Sequence, residues 1–260
     1  MRKNLFLSLF VMLCSLSASA QFVGGGTAKS NQSFGEQEFS LRLSYNPITL
    51  AVDGDWEDAI DELKMDDILN FNGFSFDFRA AFSIVNTIPL YFETGAGLTY
   101  SFSRYYDEDK ESYYDPYYDV DMDMIASMDF KTKFMSLSIP LNLAYRLSVS
   151  DNFAIKPYAG LKGRFNLSLV ETLKQEVEVR PDYYDLSDSE EDSYDMFDKD
   201  DMEELWGARE KAKRFQLGWQ IGLDMEINNF IVGVAYGADM GEIIDDWQFK
   251  TTTLSLGIKF

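Results

Sequence analysis

Apolar and polar residues take turns along most of this chain with a period of two, the spacing that sends successive side chains to opposite faces of a β-strand. Eight segments carry the pattern. The first sets Phe39, Leu41, Leu43 and Tyr45 against Ser40, Arg42 and Ser44; the second sets Phe74, Phe76, Phe78 and Phe82 against Ser75, Asp77, Arg79 and Ser83. In the third, Phe92, Leu98, Tyr100 and Phe102 oppose Glu93, Gly95, Gly97 and Thr99. The fourth runs from Met135 to Leu147 with Arg146 in its polar phase, and the fifth from Phe153 to Leu169 with Lys156, Lys162 and Arg164 in its polar phase. Phe215 to Leu223, followed by Asp224, then Phe230 to Tyr236 and Leu254 to Phe260 complete the set.

Tight connections follow the second, fourth and sixth segments, around Asn86–Pro89, Ser148–Asn152 and Glu226–Asn229; long ones, at 46–73, 103–130, 170–213 and 239–249, follow the others. Hairpin turns need only a few residues. The regular exchange of short and long predicts an all-β fold, an eight-stranded antiparallel up-and-down barrel with every long connection at one end. Volume then decides which face is outside. A barrel of this size holds roughly one layer of filling side chains, and the many Phe, Leu and Trp of the apolar phase exceed it. The polar phase is rich in glycine, at 95, 97, 160, 218, 222, 233, 237 and 257, which suits a narrow interior. The apolar face therefore meets lipid, and a transmembrane barrel pairs every backbone group around its closed sheet. Nine charged residues fall on the inner face: Arg42, Asp77, Arg79, Glu93, Arg146, Lys156, Lys162, Arg164 and Asp224. They read as a structural plug, with a narrow anion-conducting slit as the alternative, and a turn near Thr87 sets Arg79 beside Gly95 and diagonally near Glu93 as an ion pair. Pro140 and Pro157 each remove a ladder donor, so a bulge is expected near each.

The first twenty residues change the compartment. Arg2 and Lys3, an apolar run from Leu5 to about Leu16, and Ala18-Ser19-Ala20 form a secretory signal peptide pattern. The apolar run is too short to span a bilayer, and no later stretch is long enough. The single cysteine, Cys14, lies inside this leader. The 260 residues divide into a signal peptide at 1–20, a short periplasmic segment at 21–38 and a barrel domain at 39–260. With 44 acids against 23 bases and a net charge of -21, the surface argues against nucleic-acid binding. No histidine is present, and neither a G-x-S-x-G nor a phosphate-cradling glycine motif occurs. The chain reads as non-enzymatic, with no cofactor.

Leu137-Ser138-Ile139-Pro140-Leu141, Ile155-Lys156-Pro157-Tyr158-Ala159-Gly160 and the closing Leu254-Ser255-Leu256-Gly257-Ile258-Lys259-Phe260 resemble the PorT-like outer-membrane β-barrel family of Bacteroidota. The resemblance implies a Gram-negative outer membrane, both termini periplasmic, outer-membrane lipid and lipopolysaccharide as surroundings, and insertion by the barrel-assembly machinery. Leu254, Leu256, Ile258 and Phe260 match the recognition strand with its terminal aromatic, which can template on the machinery's open edge.

The long connections hold 37 of the 44 acids, so the charge belongs to one end of the molecule. A short helix is predicted from Trp56 to Leu69, capped by Asp55, and Leu173, Val177 and Val179 keep the phase of Leu169, which carries that strand beyond the bilayer. Four tyrosine doublets, Tyr105-Tyr106, Tyr113-Tyr114, Tyr117-Tyr118 and Tyr183-Tyr184, are candidates for surface contact, with interfacial packing as the plainer account. Asp119, Asp121 and Asp123 resemble the opening of a calcium loop, but Met124 takes the glycine position, so they stand only as a loose divalent-ion candidate. Two functions fit: presentation of acidic, tyrosine-bearing loops for binding a surface or envelope protein or for envelope structure, and an accessory barrel subunit of a secretion or transport complex, the type IX system being the one the resemblance suggests. A narrow channel is a third.

Overall fold

Period-two alternation over so many residues leaves each segment one destination, a strand with unlike faces, and the strands close on one another. A computed structural model describes residues 37–52, 69–85, 88–115, 117, 120–181, 186–207, 210–244 and 247–260. The leader, the segment that follows it to Glu36, the helix predicted from Trp56, the turn at Thr87, and Tyr118, Asp119, Tyr183 and Tyr184 lie outside the described residues. Strands β1 (Glu38–Val52), β2 (Asn70–Ser83), β3 (Leu90–Asp115) and β4 (Val120–Tyr145) follow in order; β5 (Leu147–Ser150) is a short continuation after a break at Arg146. Then come β6 (Phe153–Pro181), β7 (Leu186–Asp195), the helix α1 (Lys199–Trp206), β8 (Phe215–Ile227), β9 (Phe230–Asp239) and β10 (Trp247–Lys259). Antiparallel pairing runs β1-β2-β3-β4-β6-β8-β9-β10 and returns to β1, an eight-stranded up-and-down barrel. The seam is closed to the last residue, with Phe260 N donating to Phe39 O at 3.0 Å.

The partition of faces follows the volume argument. Leu43, Phe230 and Leu256 stand outside at 65, 65 and 66% exposure, while Arg42, Glu93 and Asp224 inside are at 1, 1 and 0%. An apolar exterior over paired backbone is the transmembrane arrangement. Inner glycines do more than leave room. A Cβ on Gly160 would stand 2.1 Å from the Leu141 carbonyl oxygen, and one on Gly95 2.0 Å from that of Phe78, so neighbouring strands lie against bare backbone there.

Two expectations about the ladder are corrected. No register shift occurs at Pro140 or Pro157; the shift lies between Met135 and Ser136 of β4, opposite Asn166 and Ser168 of β6. Pro140 is accommodated by a gap instead: β3–β4 pairing passes from Thr94–Leu141 to Gly97–Ser138 without changing register. Pro47 does the same at the β1–β10 seam, between Tyr45–Leu254 and Ile48–Thr251. Pro157 sits one residue below the last β4–β6 pair, Ala144–Tyr158, so its missing N–H costs little. The bulge also reverses the phase of β6. Leu169, expected to face lipid with Phe165, is instead buried inside at 4% exposure.

The second correction concerns length. β1 runs to Val52 and β2 begins at Asn70, and the connection at 103–130 is not a loop but the continuation of β3 and β4 as a ladder from Ser103–Thr132 to Asp115–Val120. β2 leaves β3 at Phe102, so thirteen residues of β3 (Ser103–Asp115), roughly 40 Å of strand, continue past it. At that level β1 changes the character of its inner phase, from Arg42 and Ser44 to Ile48, Leu50 and Val52. These join Phe71, Phe134, Leu169, Trp247 and Phe249 in an apolar crown across the barrel mouth. α1 completes it. Asp198 caps the helix, accepting from Asp200 N at 2.9 Å, Gly207 ends it at φ 64°, and Met202 is driven into the crown at 1% exposure. Burying each large apolar group of this kind contributes about 1.5–3 kcal/mol.

Candidate functional site

The barrel interior collects charge from seven of the eight ring strands and from Arg146, just past the end of β4. At the turn end Glu226 is the hub: Arg146 Nε lies 2.9 Å, Lys259 Nζ 2.8 Å and Lys156 Nζ 3.3 Å from its carboxylate. Lys156 also meets Glu93 at 2.6 Å, and Glu38 meets Arg146 at 3.7 Å and Lys259 at 3.4 Å. Midway, Arg42 pairs with Asp224 at 2.8 Å, and Asp77 Oδ2 accepts from Ser75 Oγ at 2.8 Å and Ser44 Oγ at 3.3 Å. Under the crown Arg164 pairs with Asp239 and lies 4.8 Å from the Phe249 ring centroid. Arg79 does fall opposite Gly95, but Glu93 takes Lys156 as its partner and Arg79 stands over the Tyr158 ring at 5.7 Å. Lys162 lines two small cavities beside Gln220 and Thr253.

Glu38, Glu226, Asp239 and Lys259 join these charges and stand outside the nine named from the sequence, although Asp239 and Lys259 share the polar phase of their strands. Their signal was present: Glu226 continues the phase of Asp224, Asp239 that of Gly237, and Lys259 that of Gly257. With them, among the described residues below the crown, seven bases (Arg42, Arg79, Arg146, Lys156, Lys162, Arg164, Lys259) stand against six acids (Glu38, Asp77, Glu93, Asp224, Glu226, Asp239). Three interior cavities among the described residues measure about 30, 10 and 10 Å³, room for single waters.

Beyond the crown β3, β4, β6 and β7 form a four-stranded sheet, since β6 from Val170 to Val179 pairs with β4 on one side and β7 on the other. Among the described residues, neither β3 from Ser103 nor β7 has a strand on its outer side. The tyrosine doublets are placed by this ladder. Tyr105 and Tyr106 point to opposite faces, as neighbours in a strand must, so a doublet is not one contact plate. Tyr106 is half exposed, its hydroxyl donating to Glu108 at 2.6 Å; Tyr114 and Tyr117 are exposed. Asp121 and Asp123 lie along β4, and Asp123 is engaged by Lys110 at 2.7 Å and by Ser112 Oγ at 2.6 Å. Among the described residues no three acidic, histidine or cysteine side chains converge for a metal.

On the sheet's outer-phase face Arg104 forks onto Asp129 at 2.8 and 3.0 Å with Lys131 Nζ at 2.5 Å; the hydrogen bond from Arg104 leads in holding that carboxyl below the usual range. Glu171 is the opposite case. It lies above Phe165 and Leu167, the last lipid-facing residues of β6, inside the crown, and Trp206 Nε1 donates to it at 2.7 Å. Burial pushes its carboxyl up to about 7, against the smaller opposing pull of that hydrogen bond.

No family model matches this chain, and no curated protein does. Among solved structures it is similar to Ail, the attachment invasion locus protein of Yersinia pestis, at 15% identity and TM-score 0.33 over 86% of this chain and 99% of that one. It is also similar to Neisserial surface protein A, at 10% identity and TM-score 0.30 over 85 and 97%, and to the N-terminal β-barrel domain of Pseudomonas aeruginosa OprF, at 10% identity and TM-score 0.26 over 85 and 97%.

Proposed function

We propose that this chain is a non-enzymatic integral protein of a Gram-negative outer membrane, whose sealed barrel carries the acidic sheet to the cell surface for binding. One observation carries the reading: the interior is filled by charged and polar side chains, most of the charges in ion pairs, and covered by the crown, so what a partner in solution can reach is the raised sheet and its neighbours. In this orientation the termini and tight turns are periplasmic, the crown and sheet are outside, and Leu254, Leu256, Ile258 and Phe260 served assembly before the seam closed over them. The PorT-like resemblance keeps an accessory role in a secretion complex as a partner class, an envelope protein in place of an external one.

The test removes the β3–β4 half of the sheet and keeps the barrel. Tyr106 and Asp129 face each other across the ladder, so residues 107–128 can be replaced by an Asn-Gly turn, the pairing suited to two-residue hairpins. Membrane insertion, read by the heat-dependent gel mobility of folded barrels, is expected to persist, while adhesion of intact cells or capture of an envelope partner falls. Unchanged adhesion and capture in that variant, and in one with the eight doublet tyrosines replaced by serine, would refute the binding role.

A further inference from the structure

The two faces of the raised sheet are chemically unlike. On the face continuing the barrel exterior, charges neutralise one another: Arg104 and Lys131 on Asp129, Lys110 on Asp123, Lys174 on Glu176. The face continuing the barrel interior reads differently across its rows, Asp107–Met128–Gln175–Glu190, then Asp109–Ala126–Val177–Asp188, with Glu111, Met124 and Val179 in the row above. Its centre is an apolar stripe with Gln175 as the polar interruption, and exposed acids stand along both sides. Between Tyr105 and Glu111 this phase contains no lysine or arginine on any of the four strands, and none of the six acids (Asp107, Asp109, Glu111, Asp188, Glu190, Asp192) forms an ion pair among the described residues.

From these two observations, and resting on the surface-binding reading above, we infer that this face docks a cationic amphipathic polypeptide segment, apolar along one line with lysine or arginine on both sides of it. Strands lie about 4.8 Å apart, so the acidic columns of β3 and β7 are roughly 14 Å apart. A helix of about 10–12 Å diameter fits between them. From Tyr105 to Glu111 the stripe runs roughly 20 Å, about four helical turns. At its lower end Phe130 and Trp206, 5.8 Å between ring centroids, close the floor. A second copy of this chain would bring acid against acid. The occupant is therefore a basic segment of another protein or a peptide.

The experiment uses the full-length protein in zwitterionic nanodiscs, with empty nanodiscs as the blank. The probe is a labelled leucine–lysine peptide of about 14 residues that forms one apolar face, four helical turns long; a scrambled peptide of the same composition is the control. The amphipathic peptide is expected to bind at least about tenfold more tightly than the scrambled one. Neutralising one column, Asp107→Asn with Asp109→Asn and Glu111→Gln, should weaken it about tenfold, and Ala126→Lys at the centre should abolish the preference. Glu108→Gln with Glu176→Gln and Glu191→Gln, on the opposite face, should leave it unchanged. Equal weakening by both triple variants, equal binding of the scrambled peptide, or no binding to wild type each overturns the inference. If cell adhesion still depends on residues 107–128 while the peptide does not bind, the inference fails and the surface-binding function stands; if both fail, the broader function fails too.

Discussion

Single residues in this molecule are best judged by what they would leave behind. Glu226 balances Arg146, Lys156 and Lys259 at 1% exposure, so Glu226→Ala would strand the buried Lys156 and the partly buried Arg146 and Lys259 with only Glu38 and Glu93 to share. Removing one partner of a buried pair costs about 3–5 kcal/mol. Urea unfolding of the variant in lipid vesicles is expected to show that loss, and a midpoint equal to wild type would contradict the hub. Glu171 gives a pH prediction with a definite sign. Its folded-state value of about 7 lies above the ordinary 4.5, so between those values the folded protein holds a proton that the unfolded chain releases. The stabilising effect is full below about pH 4.5 and is lost as pH rises through 7, roughly 3 kcal/mol in all. Glu171→Gln keeps an acceptor for Trp206 and is expected to unfold with no such slope, and to be the more stable form at pH 8.

Elements show how far sequence reaches. All ring strands, their order and the facing of Leu43, Phe76 and Leu256 follow from alternation and connection length, because a lipid-facing phase and a narrow interior impose opposite chemistry on neighbouring residues. The register of Arg79 opposite Gly95 follows from the turn alone. What could not be read were places where that contrast fades. Above Tyr105 both faces of β3 meet water, so Asp107, Glu108 and Asp109 alternate in direction without alternating in polarity, and a ladder is written like a loop. Leu169 departs from the alternation of its own strand because a bulge is set by two strands together, Met135–Ser136 against Asn166–Ser168, and one strand's pattern does not contain it. The crown was invisible for a similar reason: Leu50, Trp247 and Met202 come from distant stretches and meet only when the ring closes.

At the scale of the whole molecule, charge is distributed by consequence. The interior below the crown is close to neutral, seven bases against six acids among the described residues, so the net value of -21 belongs to the raised strands together with the other long connections. A neutral, filled interior with cavities of about 30 Å³ or less predicts no single-channel current in planar bilayers; steps of current in wild type that vanish with Lys162→Met would show a conducting path instead.

The Arg42–Asp224 contact reaches from β1 across to β8, and Lys259–Glu38 bridges the first and last strands. Sliding the seam by two residues would keep every greasy side chain toward the membrane, so hydrophobicity alone tolerates the slip. Opposite charges do not, since each would then confront the wrong neighbour. The polar filling thus acts as a key that selects one alignment among several equally lipid-compatible ones. Exchanging the key, Arg42→Asp with Asp224→Arg, should restore correctly closed barrels that either change alone yields poorly, as scored by protease resistance after insertion.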